Sequence, residues 1–226
     1  MSQLPLNVGL DDHARFGTYH AGPNELAVAA LQALKPPGLW LFGPPGCGKS
    51  HLLQASAHAA DLSYLALGEV PAPAVLSGAP RPAGIALDDL DRIAGDPDWE
   101  RSLLSLYDAV TPTARLLVSS SDAPAELPVD LPDLASRLRA LPAYALMPLD
   151  DAGRVRALGL RAERRGLDIS PATLEFLIRR EPRDMKGLYD LLERLDKAAL
   201  GAGRRLTLPF VRAFLRREHG ESQESA

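Results

Sequence analysis

The chain has 226 residues, of which 46% are hydrophobic and 24% are charged, an ordinary globular composition. Its formal net charge is -4, whereas dedicated nucleic-acid binders are usually basic, so we expect direct DNA binding to be weak or absent. A single cysteine, Cys47, excludes an internal disulfide bond, and we find neither a signal peptide nor an apolar run of about 18 residues, so we expect a cytoplasmic protein without membrane contact.

The first two thirds of the chain have the pattern of an α/β domain. Residues 1–20 are expected to be extended, and Asn24 is a candidate N-terminal cap for a helix over 25–34. Five short, mostly apolar segments are typical of strands buried on both faces, at 39–42, 62–67, 84–87, 115–119 and 144–147. Helical patterns at 50–60 and 99–110 lie between them, and this alternation predicts a mainly parallel five-stranded sheet.

After residue 150 the pattern becomes helical. Four helices are predicted, at 151–165, 171–179, 184–200 and 209–217. The predicted organisation is therefore an extended segment over 1–20, an α/β domain over 21–149, a helical domain over 150–218 and a polar tail over 219–226.

A phosphate-binding loop follows the first buried strand. Residues 43–50, GPPGCGKS, match the pattern G-x-x-x-x-G-K-[ST], in which backbone N–H groups and a helix N-terminus cradle phosphates. Lys49 is expected to reach the β- and γ-phosphates, and the Ser50 hydroxyl to ligate Mg²⁺. The loop predicts ATP or ADP with Mg²⁺, bound by Gly43, Pro44, Pro45, Gly46, Cys47, Gly48, Lys49 and Ser50.

Two further strands end in polar residues. Asp88 and Asp89 follow the apolar strand at 84–87; we expect Asp88 to hold the metal and Asp89 to orient or deprotonate an attacking water. Ser121 or Asp122, after the strand at 115–119, is the candidate for contacting the γ-phosphate, although a simple Ser/Asp turn fits equally well. We interpret Asp91 as a solvated charge.

Together, the loop, the Asp-Asp strand, the polar strand tip and the helical C-terminal part resemble the AAA+ ATPases, an α/β module followed by a small helical lid. Residues 131–138, LPDLASRL, resemble the box VII segment of the replication initiator DnaA; 116–122 resembles its sensor 1, and 183–194, RDMKGLYDLLER, its sensor 2 helix. The sequence LTLPFV at 206–211 also recurs there. The whole chain is similar to the Hda family, DnaA paralogues that inactivate the initiator.

This resemblance implies a negative regulator of chromosomal replication initiation. Proteins of this family dock on the DNA-loaded sliding clamp, the β subunit of the polymerase, and promote ATP hydrolysis by DnaA. The resemblance implies that Arg137 is an arginine finger acting in trans, with Arg139 as a nearby alternative. It also implies that the segment with Gln3, Leu4 and Leu6 binds the clamp.

Two features limit the resemblance. The position at which sensor 2 usually carries arginine holds Lys186, which keeps the charge but loses the planar fork. Asn7-Val8 also stands where clamp-binding peptides often continue with an aromatic residue or a Pro-Leu ending. AAA+ modules often place one subunit's arginine at its neighbour's nucleotide, so self-association of this chain is also compatible with the pattern.

Other functions remain open. A helicase loader, or another DNA-handling AAA+ ATPase, has a similar length, whereas a DnaA initiator needs a DNA-binding domain after the lid, which we do not expect here. A small-molecule kinase fits the Asp-Asp strand and the helical C-terminal part less well. A non-hydrolysing adaptor shaped by bound ADP fits as well as a weak ATPase that promotes hydrolysis in a partner.

Overall fold

The computed structural model describes residues 7–8, 14–78, 83–110, 114–180, 184–203 and 205–224. The chain divides into two compact units, Met1–Pro148 and Leu149–Ala226. The predicted clamp-binding residues Gln3, Leu4 and Leu6 lie outside the described residues, as does Arg183 at the start of the segment that resembles sensor 2.

The first unit is built on one parallel sheet. Its strands are β1 Asn7–Val8, β2 Gly38–Phe42, β3 Ser63–Ala66, β4 Gly84–Asp88, β5 Arg115–Ser120 and β6 Ala143–Ala145. They lie in the order β1-β3-β4-β5-β2-β6, and every pair is parallel. The α/β prediction is confirmed with all five predicted strands, and β1, which we had expected only to be extended, adds a short strand beside β3.

Helices cover both faces of this sheet. They are α1 Glu25–Gln32, α2 Lys49–Ala60, α3 Val75–Gly78, α4 Pro97–Val110 and α5 Pro132–Arg139. Because alternate strand residues point to opposite faces, Leu39 and Leu41 of β2 pack in the apolar cluster of α1 and α2, whereas Trp40 packs in that of α4 and α5. The carboxyl ends of β2, β4 and β5 thus converge between two helical layers.

The second unit is helical. It contains α6 Asp151–Arg164, α7 Pro171–Arg180, α8 Met185–Ala202 and α9 Leu208–Glu224, which share one apolar core. The Asp150 and Asp184 carboxylates cap α6 and α8 by accepting hydrogen bonds of 2.7 Å from the Gly153 and Gly187 N–H groups. The last helix, predicted over 209–217, is longer in the structure, because α9 continues to Glu224.

Two other details differ from the sequence expectations. Helix α8 continues past the predicted end at 200 to Ala202, and Gly203 follows it in the left-handed conformation. The segment expected to be extended over 1–20 includes a 3₁₀ turn at Phe16–Thr18. Within the described part of the chain, no helix has both the length and the apolar character that crossing a membrane requires.

Candidate nucleotide-binding site

The predicted P-loop connects the end of β2 to the start of α2. Gly43, Gly46 and Gly48 all have positive φ angles, of 150°, 78° and 102°, a conformation that side chains rarely allow. Space is also limiting, since a Cβ on Gly43 would lie 2.4 Å from the Leu146 carbonyl oxygen and one on Gly48 2.7 Å from the Tyr19 ring. The loop therefore needs glycine at both positions.

The Lys49 side chain contacts the backbone of this loop. Its side chain is buried, and its Nζ donates hydrogen bonds to the carbonyl oxygens of Gly43 at 2.7 Å and Pro44 at 3.4 Å. Ser50 is exposed in the first turn of α2. Cys47 is buried, and burial raises the pKa of its thiol, so the site favours the neutral thiol of a small packing residue.

A segment before α1 lies against the loop. The Tyr19 hydroxyl donates to the Cys47 carbonyl oxygen at 3.3 Å, and the Asn24 side-chain amide donates to Tyr19 Oη at 3.2 Å. The same amide donates to the Met147 carbonyl oxygen at 2.9 Å, and Asn24 Oδ1 accepts from the Met147 N–H at 2.8 Å. Asn24 occupies the predicted N-cap position of α1, but its side chain makes no capping hydrogen bond, because these contacts occupy it.

Asp88 lies at the end of β4 with both carboxylate oxygens occupied. One oxygen accepts from the Tyr64 hydroxyl at 2.8 Å, and the other from the Ser119 hydroxyl. The Gln54 amide in turn donates to Tyr64 Oη at 3.1 Å. Burial and the Asp88 charge raise the pKa of Tyr64, which keeps its hydroxyl protonated as a donor. Three parallel strands and α2 thus fix one buried carboxylate.

Asp89 occupies the turn after β4. Its φ angle of 59° is left-handed, and its N–H donates to Ser119 Oγ at 3.0 Å. Burial, then the neighbouring charges of Asp88 and Asp91, raise the pKa of its carboxyl. Asp91 is not simply solvated, as we had interpreted it, because its carboxylate accepts from the Ser121 N–H at 2.9 Å and so ties this turn to the tip of β5.

At the tip of β5 the residue that contacts the Asp88 carboxylate is Ser119, which the sequence analysis did not select. Ser120 is buried between the Trp40 indole N–H, which donates to its hydroxyl at 2.8 Å, and the Asp122 carbonyl oxygen, to which it donates at 2.6 Å. The predicted Ser121 is half-buried, and Asp122 is exposed.

Arg137 lies in the last turn of α5. Its guanidinium pairs with Asp108 of α4 and, at 3.8 Å, with Asp133 of its own helix, and it lies 5.9 Å from the centroid of the Tyr107 ring. Its side chain is 34% exposed. The alternative, Arg139, is exposed and donates to the Pro124 carbonyl oxygen at 3.3 Å.

A buried carboxylate binds the segment that directly precedes α5. Glu100 of α4 accepts hydrogen bonds from the N–H groups of Gly95 at 2.9 Å, Asp130 at 3.0 Å and Leu131 at 2.8 Å. Only 2% of Glu100 is exposed. The sequence analysis missed this residue, whose one available signal was an acidic side chain on the apolar side of an amphipathic helix.

Comparison with known proteins gives a family match for the second unit. Residues 151–215 match the family model described as Hda, lid domain. The second unit is therefore similar to the lid domain of Hda. Lys186, the predicted sensor 2 residue, is exposed in the first turn of α8 within this Hda-type lid.

Solved structures share the AAA+ fold of this chain. Domain III of the Thermotoga maritima replication initiation protein DnaA is 19% identical, with a TM-score of 0.73 over 92% of this chain and 98% of that one. AMPPCP-bound DnaA from Aquifex aeolicus is 14% identical, with a TM-score of 0.68 over 94% and 71% of the two chains. The Thermotoga maritima RuvB Holliday junction branch migration motor is 18% identical, with a TM-score of 0.62 over 87% and 67%.

Proposed function

We propose that this Hda-like protein is a negative regulator of chromosomal replication initiation. It binds ATP or ADP, docks on the DNA-loaded sliding clamp and stimulates ATP hydrolysis by DnaA. The observation that supports this proposal most is a partly exposed Arg137 guanidinium, paired with two exposed acids, on a helix whose preceding segment is firmly anchored.

The nucleotide would lie on the P-loop. Its left-handed glycines and the N-terminus of α2 provide backbone N–H groups for phosphates, and Lys49 is placed to exchange loop carbonyls for phosphate oxygens. Tyr19 and Asn24, which contact the loop and the end of β6, would border the same pocket. The AMPPCP found in the DnaA of Aquifex aeolicus, which shares this fold, supports an adenine nucleotide.

Mg²⁺ would be held jointly by protein and phosphates. The Ser50 hydroxyl and the Asp88 carboxylate are oxygen donors, which suit this hard cation. Among the described residues, no group of three or more His, Cys, Asp or Glu side chains is arranged to hold a metal ion. This fits a cation that is bound through one carboxylate and the substrate phosphates rather than by a protein cage.

Hydrolysis in this chain's own site would be slow. Asp89 is the candidate for orienting or deprotonating water, but its backbone turns into a left-handed conformation directly after Asp88. Its raised pKa brings the carboxyl closer to the range that suits a general base, which is compatible with weak hydrolysis. We propose that bound nucleotide chiefly shapes the protein and that Lys186 of the lid contributes positive charge as a sensor.

Arg137 would act on the nucleotide of DnaA. A guanidinium beside a transferring phosphoryl group stabilises the charge of the transition state, an effect of roughly 10³–10⁵ in rate. The ion pairs with Asp108 and Asp133 hold the Arg137 guanidinium in place while no partner is bound. Because both acids are largely exposed, giving them up for a phosphate costs little.

The N-terminal segment with Gln3, Leu4 and Leu6 would supply the clamp contact. Leu4 and Leu6 are suited to an apolar groove, and Gln3 to a hydrogen bond. A tether of this kind raises the effective concentration of the regulator near DnaA without requiring a large interface between the two proteins.

The test is the rate of ATP hydrolysis by DnaA with this protein, the clamp and DNA, omitting one component at a time. We expect strong stimulation only when the clamp is loaded on DNA, and loss of the clamp effect in a Gln3→Ala/Leu4→Ala/Leu6→Ala variant. An absence of stimulation by a protein that still binds nucleotide would contradict the proposal. Helicase and single-strand binding would then be measured, because a helicase loader is the alternative.

A further inference from the structure

The charge of the chain is unevenly divided. Of its 25 Lys and Arg residues, 16 lie at positions 149–226, together with 13 of its 29 Asp and Glu residues. The second unit therefore carries a formal charge of +3, and the first unit carries -7. The overall charge of -4, from which we expected little DNA binding, conceals a basic lid.

Two arginines of this lid lie over one aromatic ring, and a third lines the same cavity. Phe176 of α7 packs partly on the lid core, and the guanidinium carbons of Arg180 and Arg212 lie 5.3 Å and 5.1 Å from its ring centroid. Arg216, one turn further along α9, donates from Nε to the Arg212 carbonyl oxygen at 3.2 Å. Together these four residues, with Leu215, line an open cavity of about 450 Å³, which we call the lid arginine cluster.

Among the described residues, no acidic one pairs with the arginines of the cluster. Arg180, Arg212 and Arg216 are exposed, and none of them forms an ion pair with any residue that the structure describes. The adjacent Arg179 differs, because Glu175 lies 3.6 Å from it. Three guanidiniums that have no ion pair within the described ranges lie on one surface and repel one another, and a polyanion is the ligand that relieves this repulsion.

We propose that the lid arginine cluster binds the phosphodiester backbone of duplex DNA. Arginine is suited to phosphate because its planar fork donates two hydrogen bonds to it, and stacking over Phe176 preorganises two of the three forks. A duplex presents one phosphate charge per about 1.7 Å of its axis, the density that a close group of cations matches. Single-stranded binders instead stack bases on open aromatic rings, and guanidiniums already occupy the Phe176 ring.

This contact does not depend on the arginine finger or on clamp docking, so the isolated full-length protein can test it. The probe is a fluorescent duplex of arbitrary sequence, and the readout is anisotropy over a series of salt concentrations. At low salt we expect a dissociation constant of about 10⁻⁶–10⁻⁴ M, with a slope of log K against log salt near -3 for three phosphate contacts. That affinity is weak, as the overall charge led us to expect.

Variants assign the binding to the cluster. Arg180→Ala/Arg212→Ala/Arg216→Ala should weaken duplex binding at least about tenfold, and each single change should reduce the salt slope by about 1. The corresponding triple lysine variant should keep most of the affinity, because charge is retained. Arg179→Ala is the matched control and should bind as the parent does, and all variants should retain the parent's nucleotide affinity and melting temperature.

Several outcomes would overturn the proposal. Absence of duplex binding by the parent would do so, as would equal binding by the triple alanine variant. Tighter binding of a single strand of equal length would replace it with a single-strand site. Tighter binding of polyglutamate than of duplex would indicate an acidic protein partner instead.

Discussion

The end of β4 and helix α5 hold charged side chains in opposite ways. Asp88 is 2% exposed, and hydroxyl groups from two neighbouring strands occupy both its oxygens. Arg137 is 34% exposed, and its two acidic partners, Asp108 and Asp133, are 59% and 80% exposed. One charge is enclosed by its own fold, and the other is held by partners that water can replace.

The difference separates a region that serves stability from one that serves a partner. A buried carboxylate that loses a donor bears its full desolvation cost, whereas an exposed ion pair contributes about 0–1 kcal/mol. We therefore expect substitutions around the P-loop and Asp88 to change nucleotide affinity or unfolding. Substitutions around Arg137 should leave both unchanged and alter only what happens in trans.

The largest effect should come from Lys49→Ala. This change removes a buried cation whose amine is placed for phosphate, and charge-assisted hydrogen bonds of up to about 3 kcal/mol correspond to a loss of about 100-fold in ATP affinity. Isothermal titration calorimetry measures this loss. Lys35→Ala, which removes an exposed lysine, is the control, and equal affinities for the two variants would show that the P-loop does not bind the nucleotide.

Glu100→Gln should destabilise the first unit. The amide group replaces one acceptor oxygen by a donor that faces a backbone N–H, so we expect the free energy of unfolding to fall by about 2 kcal/mol. Glu126→Gln changes an exposed carboxylate and should shift it by less than about 0.5 kcal/mol. Urea denaturation distinguishes the two variants. A urea curve unaffected by Glu100→Gln would mean that this carboxylate does not anchor the segment before α5.

Tyr64→Phe should cost about 1–2 kcal/mol, because it leaves one Asp88 oxygen and the Gln54 amide without the hydroxyl that joins them. The same urea experiment measures it. Tyr107→Phe, at the Arg137 ring contact, is the matched variant on the exposed side and should have a smaller effect. A larger loss of stability in Tyr107→Phe than in Tyr64→Phe would contradict the distinction between the two regions.

Asp89→Asn should raise stability in a pH-dependent way. A raised pKa means that the native state holds the proton more firmly than the unfolded chain, so stability is complete below the ordinary value of 3.8 and falls as pH rises through the higher native pKa. Asparagine does not titrate, so the variant does not lose this stability. The difference between its melting temperature and that of the parent should therefore increase with pH. Asp61→Asn, at an exposed aspartate with a φ of 53°, controls for the preference of asparagine for this backbone.

The smallest effect on stability should come from Asp108→Asn. The lost ion pair is exposed, so we expect a change below about 1 kcal/mol in urea denaturation. Freed from this competitor, Arg137 should stimulate DnaA as well as in the parent or somewhat better. A large loss of stability would place Arg137 among the structural residues.

Local sequence patterns predicted much of the fold and of the candidate site. Apolar runs identified β2 to β6, because a strand buried on both faces leaves a continuous hydrophobic segment. The spacing of glycine and lysine identified the P-loop, since its backbone geometry has few sequence solutions. The two carboxylates at the end of β4 could be found because they are contiguous in sequence with the apolar strand.

Contacts between distant residues were not predictable. Asn24 looked like a helix cap, yet its side chain reaches Met147, 123 positions away. Ser119 contacts Asp88 only because β4 and β5 pair in one register, and one residue of shift would have presented Ser120 instead. Glu100 looked like one of many surface acids, because its three backbone donors come from segments whose paths depend on tertiary packing.

The most direct test of the central claim compares Arg137→Ala with Arg139→Ala in single-turnover hydrolysis of ATP bound to DnaA, at saturating regulator and clamp-loaded DNA. We expect Arg137→Ala to lose at least about 100-fold of the stimulation, with unchanged nucleotide affinity and melting temperature, while Arg139→Ala retains it. Full stimulation by Arg137→Ala would contradict the assignment of the finger and, with it, the functional role that we give to α5.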